Sequence, residues 1–337
     1  MEFTYGKHID PKKFKMNKLS NLKKSVQTWK SIAKNSLTSN RYYLKKCYIC
    51  GSRKFSRSIL NMYGYTYVRC LNCSHIHLKN MFSQKQTEQF YERSSQYAST
   101  YTDIRQIKYR KENIAKPKVD WVLQNIPQHK GGLWLDIGCG IGDVSACVME
   151  HVLWKSIGID INMNCITTGK KIFGVDIRHD TPESFFKKNK DIKFDVISFF
   201  GFLDAQVDPK KHLVMAYRHL KKNGRIVIWF PHHNSLSTLV QTDFPHMAIR
   251  HLQPPSAKQQ FTLHSAKIFL AKTHFKPLSF WFFGLDFYEF LNHLILKIKG
   301  FDKTKTYKFF MAHLFDFQIV VDNLQLSDGF MVLAKKI

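Results

Sequence analysis

An apolar stretch, Leu133, Trp134 and Leu135, runs into Asp136, Ile137, Gly138, Cys139, Gly140, Ile141, Gly142 and Asp143, and a helical pattern then continues to Glu150. Glycines at alternate positions let the backbone pass close to a ligand, and a strand leading through such a turn into a helix opens an α/β sheet that binds at the carboxyl ends of its strands. The acids narrow the ligand. A dinucleotide fingerprint needs its third glycine at position 143, where this chain has Asp143, and a carboxylate at position 136 repels a pyrophosphate. A ligand with a cationic amino-acid end fits this turn better. A second apolar stretch, 157–159, ends at Asp160, which is placed to accept two ribose hydroxyls.

These residues resemble the class I S-adenosylmethionine-dependent methyltransferases, from Leu133 to the last residue. LDIGCGIGD is similar to the family's first motif and GIDIN to its second. The resemblance implies an α/β fold with a seven-stranded Rossmann-like sheet and S-adenosyl-L-methionine as cofactor. It also implies that Asp136, Gly138, Gly140 and Gly142 hold the methionine portion, Asp160 the ribose, and Asp180 the adenine amino group after a third strand at 175–179. FDVISFFGFLD (194–204) is similar to the fourth strand and its loop, LKKNG (220–224) to the turn before a fifth strand, and 280–283 with 329–334 to a closing antiparallel hairpin. The domain then spans 131–337, with a helical insertion at about 284–327.

Four of the seven cysteines form two pairs with zinc-ribbon spacing, Cys47 with Cys50 and Cys70 with Cys73, nineteen residues apart. Each two-residue gap lets a tight turn present two thiolates to one ion, so the expectation is a closed, structural zinc site in a small module at 47–80, with a hairpin between the pairs. His75 and His77 can stand in for a cysteine but read as ordinary strand positions. A helical connection is expected at 81–130. The module order, with CYICGS, RCLNCSHIHLKN and FYERSSQYA, resembles a bacterial group associated with glycan and secondary-metabolite pathways. That resemblance implies a small-molecule acceptor, a sugar nucleotide or cell-envelope glycan precursor.

The net charge is +27, and its excess is local: 26 of 52 basic residues but 7 of 25 acidic ones precede residue 131. Residues 1–46 read as a basic arm that would suit phosphates, and with them an RNA methyltransferase, or the surface of a membrane. Against RNA, the chain has no Asn-Pro-Pro-Tyr-like or Pro-Cys motif. With no long apolar run and no leader pattern at its start, the expectation is a cytoplasmic protein. Oligomeric state stays open.

The resembled group often reads Leu-Glu-His-Val-x-Asp-Pro after the fourth strand, where this chain has Ala205 in place of histidine; a later Pro-Pro-x-His pattern has Ala257. The candidates for a proton acceptor are therefore His232 and His233, past the fifth strand, and Asp204. Loss of both imidazoles also admits a cofactor-binding protein without turnover. Apolar residues at 287, 290, 291, 294, 295 and 298 predict an amphipathic helix, read as core packing or a substrate lid ahead of a membrane-surface or partner-binding element.

Overall fold

The structure is a computed structural model that describes residues 1–11, 13, 19–38, 42–93, 102–126, 131–245 and 252–337. The strands of its main sheet, from edge to edge, are Glu2–Tyr5, Phe275–Phe282, Gly329–Lys336, Leu220–Pro231, Phe194–Phe200, Gly132–Ile137, Trp154–Asp160 and Asp176–His179. Gly329–Lys336 is antiparallel to both its neighbours, and the remaining pairings are parallel. Parallel strands need crossover helices, which cover both faces, and so the central strands read as continuous apolar runs. Val196, Ile197, Phe199, Ile226, Val227 and Ile228 are all inaccessible to solvent.

Among the described residues the sheet has eight strands where seven are expected, because Glu2–Tyr5 adds to its edge. Phe3 and Tyr5 stack on Phe280 and Phe282, with ring centroids 5.5 and 6.2 Å apart, and the Gly6 N–H donates to the Phe282 carbonyl at 2.9 Å. Aromatic pairs of this kind each contribute about 0.5–1.5 kcal/mol beyond the area they bury. Among the described residues of 1–46, residues 2–5 are therefore part of the main sheet and not a free basic arm. Lys7 is drawn inside, its Nζ donating to the Ile114 carbonyl at 2.9 Å and lying 5.0 Å from the Phe283 ring centre. Burial pushes its pKa well below the usual lysine range. Two aromatic faces and a carbonyl make its burial tolerable. Helix Leu19–Asn35 follows and turns Leu22 and Ala33 inward.

A second, antiparallel sheet runs Gln259–Gln260, Ile76–Leu78, Tyr65–Cys70, Phe55–Met62. Its hairpin turns at Tyr63 and Gly64, both with positive φ, the backbone that matches strand twist in a two-residue loop. One of its four strands comes from more than 180 residues downstream of the others, so this module is completed by the main domain. The cores are also continuous: Cys47, Ile49, Cys70 and Cys73 pack in one cluster with Leu213, Phe230 and Phe261.

Helices Gln84–Arg93, Ile104–Arg110 and Lys116–Gln124 lie in the connection, and Val119, Trp121 and Val122 of the last are buried against the sheet. Residues 94–98 of the FYERSSQYA pattern lie outside the described residues, as do parts of the expected arm and connection. The insertion forms helices Asp286–Lys297, Lys305–Ala312 and Leu314–Asn323. Its first helix buries Leu291 and Ile295 but also Asp286, Glu289, Asn292 and His293. The apolar stripe is thus only half the contact surface, since Asp286 accepts from the Ser237 and Asp328 backbones at 3.0 and 2.8 Å, and Phe287 stacks on Phe317 at 4.7 Å. The helix is packed inside the fold. Among the described residues no helix is long and apolar enough to cross a membrane.

Candidate functional site

A cleft opens at the carboxyl ends of Gly132–Ile137, Trp154–Asp160 and Phe194–Phe200. Gly138, Asp160 and Asp180–Pro182 line one side, and Gly201, Phe202, Ala205 and Gln206 another. The Gly138, Gly140 and Gly142 backbones all have positive φ, and a Cβ built on Gly140 meets nothing within 4 Å, leaving the turn open above that residue. The Asp160 carboxylate anchors the turn. Its Oδ2 accepts from the Gly140 N–H and its Oδ1 from the Asn162 N–H, both at 2.8 Å. Each oxygen keeps a lone pair for a further donor. Burial raises the pKa of Asp160. The Asp180 carboxylate is held by Lys188 Nζ at 2.9 Å.

Asp136 is the acid at the start of the same motif. It is 2% exposed, accepts from Ser198 Oγ at 2.6 Å on the neighbouring strand, and does not line the cleft. Burial pushes its carboxyl up to about 7.

The remaining wall was invisible to motif reading. Gln84, Thr87, Glu88 and Tyr91, spaced i, i+3, i+4, i+7 on helix Gln84–Arg93, face the cleft. The helix is pinned across it at both ends. Gln84 Nε2 donates to Gln206 Oε1 at 3.0 Å, and Asn162 Nδ2 donates to the Tyr91 carbonyl at 2.8 Å. A polar stripe at helical spacing was the available signal, though any exposed helix face has the same appearance in sequence.

The four cysteines converge. Their sulfurs all lie within 4.8 Å of one another, with Cys47 to Cys73 at 3.6 Å and Cys50 to Cys70 at 3.5 Å. Tetrahedral coordination at about 2.3 Å per bond puts sulfurs about 3.8 Å apart, so the donor set fits one zinc ion. The two knuckles share one backbone pattern. Gly51 and Ser74, both at positive φ, donate to the Cys47 and Cys70 carbonyls at 2.8 and 2.9 Å. His77 Nε2 lies 3.2 Å from Cys47 Sγ and is a neighbour of the cluster rather than a fifth member. Cys73 and the His77 ring hold the Cys47 thiol far below its usual range.

Residues 107–265 match the model of a family described as Methyltransferase domain. Over that stretch, just under half of the chain, the protein is similar to methyltransferase domains, which supports S-adenosylmethionine-dependent methyl transfer. The fold agrees. A cyclopropane synthase from Mycobacterium tuberculosis aligns with a TM-score of 0.50 at 14% identity, over 76% of this chain and 99% of its own. A mycolic acid cyclopropane synthase complexed with S-adenosylhomocysteine and CTAB aligns with the same score at 12% identity, over 76% and 99%. At such identities the likeness is one of architecture. No curated protein sequence matches the chain.

The three proton-acceptor candidates are separated. His232 is 3% exposed, its Nδ1 3.2 Å from the Ser327 carbonyl and its ring edge-on to Phe330; burial pushes its pKa down to about 4. His233 Nδ1 lies 3.3 Å from Gln260 Oε1, and burial likewise pushes it down to about 4. Neither lines the cleft. Asp204 is on the turn Leu203–Ala205, one residue before cleft-lining Ala205, with Oδ1 buried and without a hydrogen-bond partner. Burial pushes its carboxyl up to about 6.

Gly169 supports the glycine turn from beneath. A Cβ there would stand 2.1 Å from the Ile141 carbonyl oxygen, a backbone atom that can move only if the turn moves. Gly169→Ala is therefore expected to weaken S-adenosylhomocysteine binding about tenfold or more, and calorimetric titration checks it; unchanged affinity would show that the turn tolerates displacement.

Proposed function

We propose that this chain transfers a methyl group from S-adenosylmethionine to a small-molecule acceptor, with a sugar nucleotide or glycan precursor as the acceptor class. The observation that carries the reading is Asp160 at the cleft floor, tied to the Gly140 N–H with lone pairs to spare. In this reading Asp160 accepts the ribose hydroxyls, Asp180 the adenine amino group, and the open backbone around Gly138 and Gly140 receives the methionine portion. When bound, the cofactor supplies a methyl group on a sulfonium whose departure as a neutral sulfide needs no acid. The chain's own tasks are then orientation, exclusion of water and, for a hydroxyl acceptor, removal of one proton.

We assign that proton to Asp204, because it alone of the three candidates lies on a cleft-lining turn. A base must be deprotonated to act, so turnover is expected to rise as pH climbs through about 6 and to level off above it. Asp204→Asn is expected to remove that limb and lower turnover about 100-fold or more, within the usual range for general-base catalysis, while S-adenosylhomocysteine affinity stays within about twofold. A retained limb at pH 6 would clear Asp204 of the role.

Methyl-labelled S-adenosylmethionine, incubated with separate small-molecule and RNA fractions of a cell extract, tests the acceptor class. Label in nucleoside-diphosphate sugars or a glycan precursor supports the reading. Label confined to RNA would transfer the assignment to the RNA alternative, and label in neither fraction would favour a cofactor-binding protein without turnover.

A further inference from the structure

Gln259 is fully buried and bonded on both sides. Its Nε2 donates to the Gln206 and Val207 carbonyls at 3.0 and 3.1 Å, on the segment that forms one wall of the cofactor cleft. Its Oε1 lies 2.9 Å from His75 Nε2. Because the amide nitrogen is committed to two carbonyls, the oxygen faces His75, which must carry its proton on Nε2. The backbone repeats this link. Gln259 pairs with His77 in the small sheet, the Leu78 N–H donates to the Lys258 carbonyl at 2.8 Å, and the Lys258 N–H donates to the Asp204 carbonyl at 2.9 Å. Lys258 Nζ, also buried, donates to the Ala205 carbonyl at 2.7 Å.

One short strand thus grips the cleft wall with its side chains and the four-cysteine module with its backbone. His75 follows Cys73 by two residues, and His77 touches Cys47. The residues that carry the link, His75, His77, Lys258, Gln259 and Gln206, are all buried.

We propose that Gln259 is a positioning residue through which the four-cysteine site and the cofactor cleft are energetically coupled, metal at one strengthening binding at the other. The physical reason is shared ordering. A metal that fixes the knuckles fixes strand Ile76–Leu78, which holds Gln259, which holds residues 204–207 in the shape that closes on the cofactor. Coupling of this kind is reciprocal, so the cofactor must also tighten the metal. The inference rests on the cleft being the cofactor site and on the cysteines holding zinc, and the experiment separates these premises from the coupling itself.

The measurements are S-adenosylhomocysteine affinity by calorimetry, zinc content, and the rate of zinc release to a chromogenic chelator with and without saturating S-adenosylhomocysteine. For the unaltered protein, S-adenosylhomocysteine is expected to slow zinc release about fivefold or more, the lower end of common coupling factors. Gln259→Glu keeps an acceptor toward His75 and removes both donors to the cleft wall. It is expected to retain zinc, lose affinity about tenfold, and show the same zinc-release rate with and without ligand. Gln260→Ala, on the same strand but with a side chain directed to His233, is expected to behave like the unaltered protein.

Zinc release indifferent to S-adenosylhomocysteine in the unaltered protein overturns the proposal without any variant having to fold. So does Gln259→Glu with full ligand-dependent protection. No S-adenosylhomocysteine binding at all would instead fell the cofactor reading, and no copurifying metal the zinc assignment; the coupling falls with either.

Discussion

Asp160→Ala is expected to weaken S-adenosylhomocysteine binding by at least about 100-fold and to lower thermal stability as well. The carboxylate has two tasks. It satisfies the Gly140 and Asn162 N–H groups at 2.8 Å each, and it faces the cleft with its remaining lone pairs. Alanine leaves two buried donors without acceptors, at about 1–3 kcal/mol each, and frees the glycine turn from strand Trp154–Asp160. Asn162 is affected too, since its side chain caps helix Met163–Phe173 and holds the wall helix through the Tyr91 carbonyl. Asp160→Asn is the sharper variant. Both oxygens accept from backbone N–H groups, so an amide must turn its NH2 toward one donor, and the loss should approach that of alanine. Calorimetric titration gives the affinity and thermal denaturation the stability. Either variant binding within threefold of the unaltered protein would remove Asp160 from the cofactor site.

Loss of the metal is expected to have the second large effect. The protein should copurify with about one zinc per chain, and Cys47→Ser with Cys73→Ser should abolish it. The sulfur pairs at 3.5 and 3.6 Å place four thiolates around one point, where without a cation they repel or must take up protons. Structural zinc contributes about 10–16 kcal/mol in isolated finger peptides. Here part of the module is held by the main core, through Ile49 and the strand Gln259–Gln260, so the expected loss is smaller, several kcal/mol and a fall in Tm of about 10 °C or more. Elemental analysis and thermal unfolding before and after chelation measure both. A metal-free protein that melts within two degrees of the loaded one would make the cysteine cluster dispensable.

The contrast between residues that were legible in sequence and those that were not follows the length of the contact. Both cysteine pairs and the glycine turn are encoded within a few residues, because a tight turn imposes its spacing on its own segment. Asp160 was legible for a related reason: an acid ending the second strand of such a unit lies beside the first turn whatever surrounds it. Asp136 had the same motif context yet is turned toward Ser198, since side chains alternate across a strand and the neighbouring strand supplied a donor. His232 and His233 looked available because they follow a strand at the correct end of the sheet. What they meet is Phe330 and Ser327 in one case and Gln260 in the other, partners 27 to 98 residues away that no local pattern announces.

The charge shows the same division. Composition reads residues 1–46 as a basic arm, but Phe3 and Tyr5 alternate with Glu2 and Thr4 and match the stacked faces of Phe280 and Phe282, which makes residues 2–5 an edge strand. A four-residue segment carries too little period to reveal that partner in advance.

By itself the sequence determined the sheet's opening unit, the order of its main elements and the four-thiolate cluster, since these depend on neighbours within one turn or one strand. Only the tertiary structure decided that helix Gln84–Arg93 closes the cleft, that Lys7 is buried, and that Gln259 joins the cysteine module to the cleft wall across 184 residues of chain to His75. Those outcomes turn on which surfaces are left to cover once the sheet has formed, and burial and hydrogen-bond satisfaction over the whole molecule settle that choice.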